Sequence, residues 1–154
     1  MSRAFVKDAE DADVAELPDR LISEHANFVT AEGLAAIEAE FARVQEEHAA
    51  AVAAADRARI AAAARDLRYW ASRAATAEVI APPKDASEVH FGSTVTFARA
   101  DGRRQTYRIV GEDEADPAKG TLSYVSPLAK ALLGKSVGDI VRAGNSDVEV
   151  LEIG

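Results

Sequence analysis

Two apolar runs in this 154-residue chain mirror each other about a single point. The first reads Leu34, Ile37, Phe41, Val44, His48, Ala51, Ala55, in alternating steps of three and four. The second reads Ile60, Ala63, Leu67, Trp70, Ala74, Ala77, with the same alternation. Each is the a/d seam of an amphipathic helix. Folding the segment back on itself pairs 34 with 77, 37 with 74, 41 with 70, 44 with 67, 48 with 63 and 51 with 60, and each pair of numbers adds to 111. An antiparallel two-helix coiled coil over residues 30–80 is therefore expected, with its tip near Ala55-Asp56. Thr30, followed by an acid in the first turn, is a helix N-cap, and Asp56 is the N-cap of the return helix. Eleven of the sixteen residues from Ala49 to Ala64 are Ala, and the tip has neither Gly nor Pro. The competing arrangement is thus one helix ~75 Å long at 1.5 Å per residue, which would leave Phe41, Leu67 and Trp70 uncovered. The hairpin, with arms of ~37 Å, is preferred because it buries them. His48 is the one polar seam residue and has no second metal ligand at helical spacing, so it is read as a register residue.

Composition limits the rest. With 18 Lys+Arg against 26 Asp+Glu the formal charge is −8. The charge is spread as −4, −2 and −2 over residues 1–29, 30–79 and 80–154, so no segment is basic. Binding to nucleic acid on its own, which needs a cationic face, is disfavoured, and no sequence-specific DNA contact is expected. A hydrophobic content of 48% supports a buried core. The absence of Cys removes disulfide, zinc-knuckle, thiol-nucleophile and iron–sulfur chemistry and fits a reducing cytoplasm. No apolar run approaches the ~20 residues of a membrane span, and residues 1–20 lack a secretory signal pattern. Residues 1–29 form an acidic leader. Asp8 to Glu16 reads as a solvated tail, and Leu17, Leu21 and Ile22 are the residues with which an arm would dock.

Ala81-Pro82-Pro83 opens a short linker, residues 81–88. Beyond it, residues 89–154 read as a compact antiparallel sheet with one short helix. Val89 to Gly92 and Thr94 to Phe97 are β-rich, Asp101-Gly102 is a hairpin turn, and Gln105 to Val110 is the return strand. Leu122 to Val125 is a third strand. Ser126-Pro127 starts a two-turn helix as N-cap and N1, and Gly134 stops it. Ile140-Val141 and Val148 to Ile153 are further strands. The class is α+β. Between strands lie Glu112, Asp113, Glu114 and Asp116, four acids in five positions. Three readings stay open: a solvated loop, a calcium loop whose spacing lacks the usual alternation, and an anchor for a basic or helical partner.

The stretches Phe91-Gly92-Ser93-Thr94-Val95, Ile109-Val110-Gly111-Glu112-Asp113-Glu114-Ala115-Asp116, and Ser126-Pro127-Leu128-Ala129-Lys130-Ala131-Leu132-Leu133-Gly134-Lys135 followed by Val137-Gly138-Asp139 carry a likeness. In order and spacing they resemble the C-terminal domain of the Gre-type (GreA/GreB) transcription elongation factors. Val29-Thr30-Ala31-Glu32-Gly33-Leu34 and Ala77-Glu78-Val79-Ile80 resemble the family more weakly. The resemblance implies a helical hairpin followed by an FKBP-like domain, in a monomeric, cytoplasmic regulator whose partner is bacterial RNA polymerase. It implies docking of the C-terminal domain on the rim of the secondary channel through Ser126 and Pro127, with Val125 beside them. Glu112, Asp113, Glu114 and Asp116 border that surface, and the hairpin inserts toward the active site. Val125 stands where one branch of the family has an acid.

Active members of the family carry an acidic tip whose carboxylates help hold a magnesium ion in the polymerase. Here the tip reads Ala53-Ala54-Ala55-Asp56-Arg57-Ala58-Arg59, and the hairpin is shorter than the family's. Asp56 is the single tip carboxylate. The expectation is a factor, not itself an enzyme and with no cofactor of its own, whose stimulation of transcript cleavage is reduced or absent. Three alternatives remain. In one, Asp56 and a polymerase residue share the magnesium and cleavage is retained. In another, the FKBP-like domain is a prolyl isomerase using Phe91, Phe97, Tyr107 or Tyr124. The last is the related short-coil regulators of nucleoside diphosphate kinase, which also bind polymerase.

Overall fold

A computed structural model describes residues 17–154. The expected solvated run Asp8 to Glu16 lies outside the described residues. Chain contacts divide the molecule into a helical unit, containing residues 36–76 and the described leader residues to Glu24, and a sheet unit, residues 25–35 and 77–154.

Helix α1 spans Ala31–Ala53 and helix α2 spans Arg57–Thr76. At 1.5 Å per residue they are about 35 and 30 Å long. The expected tip is where the chain turns, and its geometry explains how a run of Ala reverses without Gly. Asp56 N–H donates to Ala51 O at 3.1 Å and Ala55 N–H to Val52 O at 3.0 Å, the paired bonds of a Schellman stop. The residue in the left-handed position is Ala55, with φ 51°. A Cβ there costs about 1 kcal/mol, so Ala55→Gly is expected to raise stability by about 1 kcal/mol, read by thermal or urea unfolding. Asp56 then caps α2 as expected, its Oδ1 accepting Arg59 N–H at 3.2 Å. The seam follows the mirror pattern: Ile37, Val44, Ala51 and Ala63 are buried. His48 is half-buried. Glu47 on α1 accepts both Nε and Nη2 of Arg59 on α2, at 3.2 and 3.0 Å.

The leader departs from expectation. Of the three residues with which an arm would dock, Leu21 is 96% and Ile22 47% exposed, and Leu17 is half-covered. The charged residues make the contact instead. Arg20 lies 3.9 Å over the Tyr69 ring and 3.4 Å from Asp66, and Asp19 pairs with Arg68. Tyr69, Trp70 and Asp66 on α2 give an arginine a better partner than they give leucine.

In the sheet unit, β1 (Phe28–Val29) and β2 (Glu78–Val79) pair in parallel. The five strands that follow are β3 (Thr94–Arg99), β4 (Arg104–Val110), β5 (Thr121–Ser123), β6 (Ile140–Ala143) and β7 (Ser146–Ile153), in the order β5-β4-β3-β7-β6. The α+β class and the short helix α3 (Pro127–Leu132) are as expected. The sheet, however, is mixed, because β4 and β5 run parallel. The acidic loop and a 3-10 turn at Pro117–Lys119 carry the chain back before β5 starts, so β5 cannot return as a hairpin partner. Val89 to Gly92 is not a strand. Gly92 sits at φ +89°, Ser93 N–H closes a turn on His90 O at 3.0 Å, and Val89 bonds Lys135 and Gly134 at the end of α3. The Asp101-Gly102 turn forms as expected, with Gly102 at φ +86° and Asp101 accepting Arg103 N–H at 3.0 Å. One core lies between sheet and helix: Val89, Val95, Phe97, Ile109, Leu122, Ala129, Leu132, Val141, Val148 and Val150. Phe97 has no exposed surface and Tyr107 stacks on it at 6.0 Å, so these two rings fill the core and do not wall a substrate pocket.

Candidate functional site

The residues singled out by sequence fall into two groups, one in each unit. At the helical tip, the carboxylate of Asp56 is engaged as the α2 cap. Arg59 is tied to Glu47. Among the described residues, no cluster of three or more His, Asp or Glu side chains is arranged to hold a metal ion. A single carboxylate already bonded to backbone offers a hard cation too few oxygens.

In the sheet unit, Ser126 adopts an extended conformation (φ −65°, ψ 151°) and accepts Ala129 N–H at 3.2 Å, capping α3. Pro127 fills the first helical position and is exposed, and Val125 is half-buried beside it. The preceding residue, Tyr124, is braced from below. Its ring packs against Phe28 at 5.5 Å and Phe91 at 5.6 Å, and its hydroxyl donates to Ala26 O. The Val125-Ser126-Pro127 step is thus held between a three-ring cluster and a capped helix.

The acidic loop is not a plain solvated loop. Glu112, Asp113, Glu114 and Asp116 are all half-buried. Asp116 caps the 3-10 turn through Ala118 N–H at 3.1 Å, and its own N–H donates to Thr121 Oγ1 at 2.7 Å. Glu114 turns inward. Its Oε2 accepts Thr30 N–H at 2.9 Å and Gly111 N–H at 3.2 Å, while its Oε1 accepts the Thr30 hydroxyl. Thr30 Oγ1 in turn accepts Gly33 N–H at 3.0 Å. These are the bonds of a capping box, in which the third helical residue, ordinarily Glu, reaches back to the cap N–H. Here that position is Gly33, and the carboxylate comes from a residue 84 positions later. A Cβ on Gly33 would lie 2.1 Å from Glu114 Oε2, and one on Gly111 would lie 2.4 Å from Phe28 O. Both glycines leave room for the close approach. Helix starts favour negative charge, so the carboxylate also meets the helix dipole.

Sequence reasoning found Thr30 as a cap and Glu114 as an acid and did not join them. The available signal was Gly33, a poor helix former in the first turn. Nearby, backbone N–H groups, the Thr30 hydroxyl and Arg108, whose Nη2 lies 3.9 Å away, hold the Glu32 carboxyl below its ordinary pKa. A depressed carboxylate pKa stabilises the fold above the ordinary value, and that contribution is lost as pH falls through the folded-state value.

Residues 83–154 match the family described as "Transcription elongation factor, GreA/GreB, C-term". The chain is 47% identical over 85 residues to a "Transcription elongation factor GreA" of Helicobacter pylori, covering 51% of this chain and 52% of that protein. It is 52% identical over 73 residues to the protein of the same name from Macrococcus caseolyticus, covering 44% and 46%. The chain thus spans about half the length of the curated relatives it matches. A solved structure of the transcription factor Gfh1 aligns with 85% of this chain and 99% of its own, at 19% identity and a TM-score of 0.41. Over residues 83–154, the chain is similar to the C-terminal domain of the Gre-type (GreA/GreB) transcription elongation factors.

Proposed function

We propose that this chain regulates transcription elongation by binding RNA polymerase at the mouth of its secondary channel. In this reading the C-terminal domain docks on the channel rim through Val125, Ser126 and Pro127. Glu112 and Asp113 border the contact, and Glu114 and Asp116 act by holding the loop in shape. The hairpin enters the channel, and stimulation of transcript cleavage is reduced or absent. The factor is then a monomeric, cytoplasmic regulator without a cofactor of its own, and any hydrolysis is the polymerase's.

The observation that carries the docking half is the family match over residues 83–154. For the cleavage half it is the tip, where one carboxylate caps its own helix just before Arg57 and Arg59. A second magnesium ligand set needs several oxygens placed with little slack. An apolar Val125 beside an exposed Pro127 fits a rim contact made by packing more than by charge. The test is binding of the full chain to core RNA polymerase. The wild type is expected to be retained and Pro127→Ala to bind several-fold more weakly with an unchanged melting temperature. No retention of the wild type would remove the proposal.

A further inference from the structure

The charge of the sheet unit changes sign just past its acidic loop. Residues 117–138 hold Lys119, Lys130 and Lys135 and no Asp or Glu, in a chain with 26 acids against 18 Lys and Arg. That stretch carries the Val125-Ser126-Pro127 step and all of α3. Lys130 follows Pro127 by three residues, so the two are neighbours on the helix surface, and both are exposed. Lys135, just beyond the end of α3, is exposed as well.

The acids that could neutralise these lysines are used elsewhere. Asp116 caps the 3-10 turn, and Glu114 closes the start of α1. At least eight of the described arginines stand within 3.9 Å of a carboxylate, whereas neither Lys130 nor Lys135 pairs with one among the described residues. A chain with acids in excess thus leaves two exposed ammonium groups unpaired beside the braced edge. Lys130 also suits the last turn of its helix, where a cation meets the dipole. That contribution belongs to folding and does not account for Lys135, which lies outside the helix.

We propose that the partner surface meeting this edge is an acidic patch of protein, that Lys130 and Lys135 steer its approach, and that Val125 and Pro127 hold it by packing once it arrives. The proposal rests on the reading that this edge docks on RNA polymerase, and it adds the charge of the surface met there. Charges at the margin of a contact act on the rate of encounter more than on the lifetime of the complex. A phosphate backbone would match the lysines but offers nothing apolar to Val125 and Pro127, and the net charge of −8 opposes it.

The test is association of the full chain with immobilised core RNA polymerase free of nucleic acid, followed in real time at low and at half-molar salt. Lys130→Glu is expected to slow association about tenfold at low salt and to leave dissociation within about twofold of the wild type. Half-molar salt should close most of that gap, because screening shortens the reach of each charge. Lys130→Gln should fall between, Lys135→Glu should slow association too, and each variant should melt as the wild type does. Lys84→Glu, the same charge change at an exposed linker position, should leave the rate unchanged. Wild-type association by Lys130→Glu would overturn the inference and leave the docking reading in place, whereas a wild type that does not bind would remove both. An equal loss in Lys84→Glu would reduce the effect to net charge and overturn it, and so would a loss seen only when the polymerase carries nucleic acid.

Discussion

Glu114→Ala is expected to lower the unfolding free energy by about 3 kcal/mol, since hydrogen bonds to charged groups contribute roughly 1.5–3 kcal/mol each and buried donors left behind carry a desolvation penalty. The melting temperature should fall by roughly 10 °C. The Glu114 carboxylate satisfies the N–H groups of Thr30 and Gly111 and orients the hydroxyl that caps Gly33. Its removal opens the start of α1 and the acidic loop together. Gly33→Ala gives a sharper reading of the same contact. In an unconstrained helix Gly→Ala stabilises by about 1 kcal/mol. Here the new Cβ would sit 2.1 Å from Oε2 of a carboxylate whose two oxygens together are held by three donors, so the substitution is expected to destabilise the wild type. In the Glu114→Ala background the obstruction is gone, and Gly33→Ala should become stabilising. A double-mutant cycle read by urea unfolding checks this reversal of sign, which additive, independent sites cannot produce.

The second large effect concerns the tip. Three features set it: Asp56 as cap, Arg59 held by Glu47, and Ala55 forced to a positive φ. Each is a structural use of a residue where a metal-holding tip would need spare oxygens. Asp56→Ala is accordingly expected to act on stability, with the loss of an N-cap worth about 1 kcal/mol, and to leave any effect on transcript length where it was.

Much of the fold was legible in residues whose signals are local. The alternating seam placed Ile37, Val44 and Ala51 inside, and Thr30, Asp56 and Ser126 mark three helix starts at the positions they occupy. The Asp101-Gly102 turn was readable for the same reason: its dihedral demand is written in two residues. What was missed depends on partners far away in the chain. The bond from Glu114 to Thr30 spans 84 residues, and only the awkward Gly33 hints at it. Val89 to Gly92 has strand-like composition, but Val89 finds its backbone partners at Gly134 and Lys135, and Gly92 turns. The parallel β5 follows from where the acidic loop goes, which its composition does not encode. The leader's contact is not legible in its hydrophobic residues, because the aromatic pair Tyr69-Trp70 offers more to Arg20 than to Leu21.

The Val125-Ser126-Pro127 step shows both kinds of legibility in one place. The cap and the helix start were readable from two residues. The ring cluster of Phe28, Phe91 and Tyr124 beneath them joins three distant segments and was not. That bracing fixes the backbone just before the exposed Pro127, which is what the proposed docking edge would need in order to meet a partner without first being ordered.

The most direct measurement of the central claim is transcript length in backtracked elongation complexes, with the factor's presence on each complex scored in the same sample. Reduced or absent stimulation of cleavage predicts that the full chain comigrates with the complexes while the RNA stays as long as with polymerase alone, and that Asp56→Ala behaves identically. RNA shortened by the wild-type chain and left intact by Asp56→Ala would contradict it.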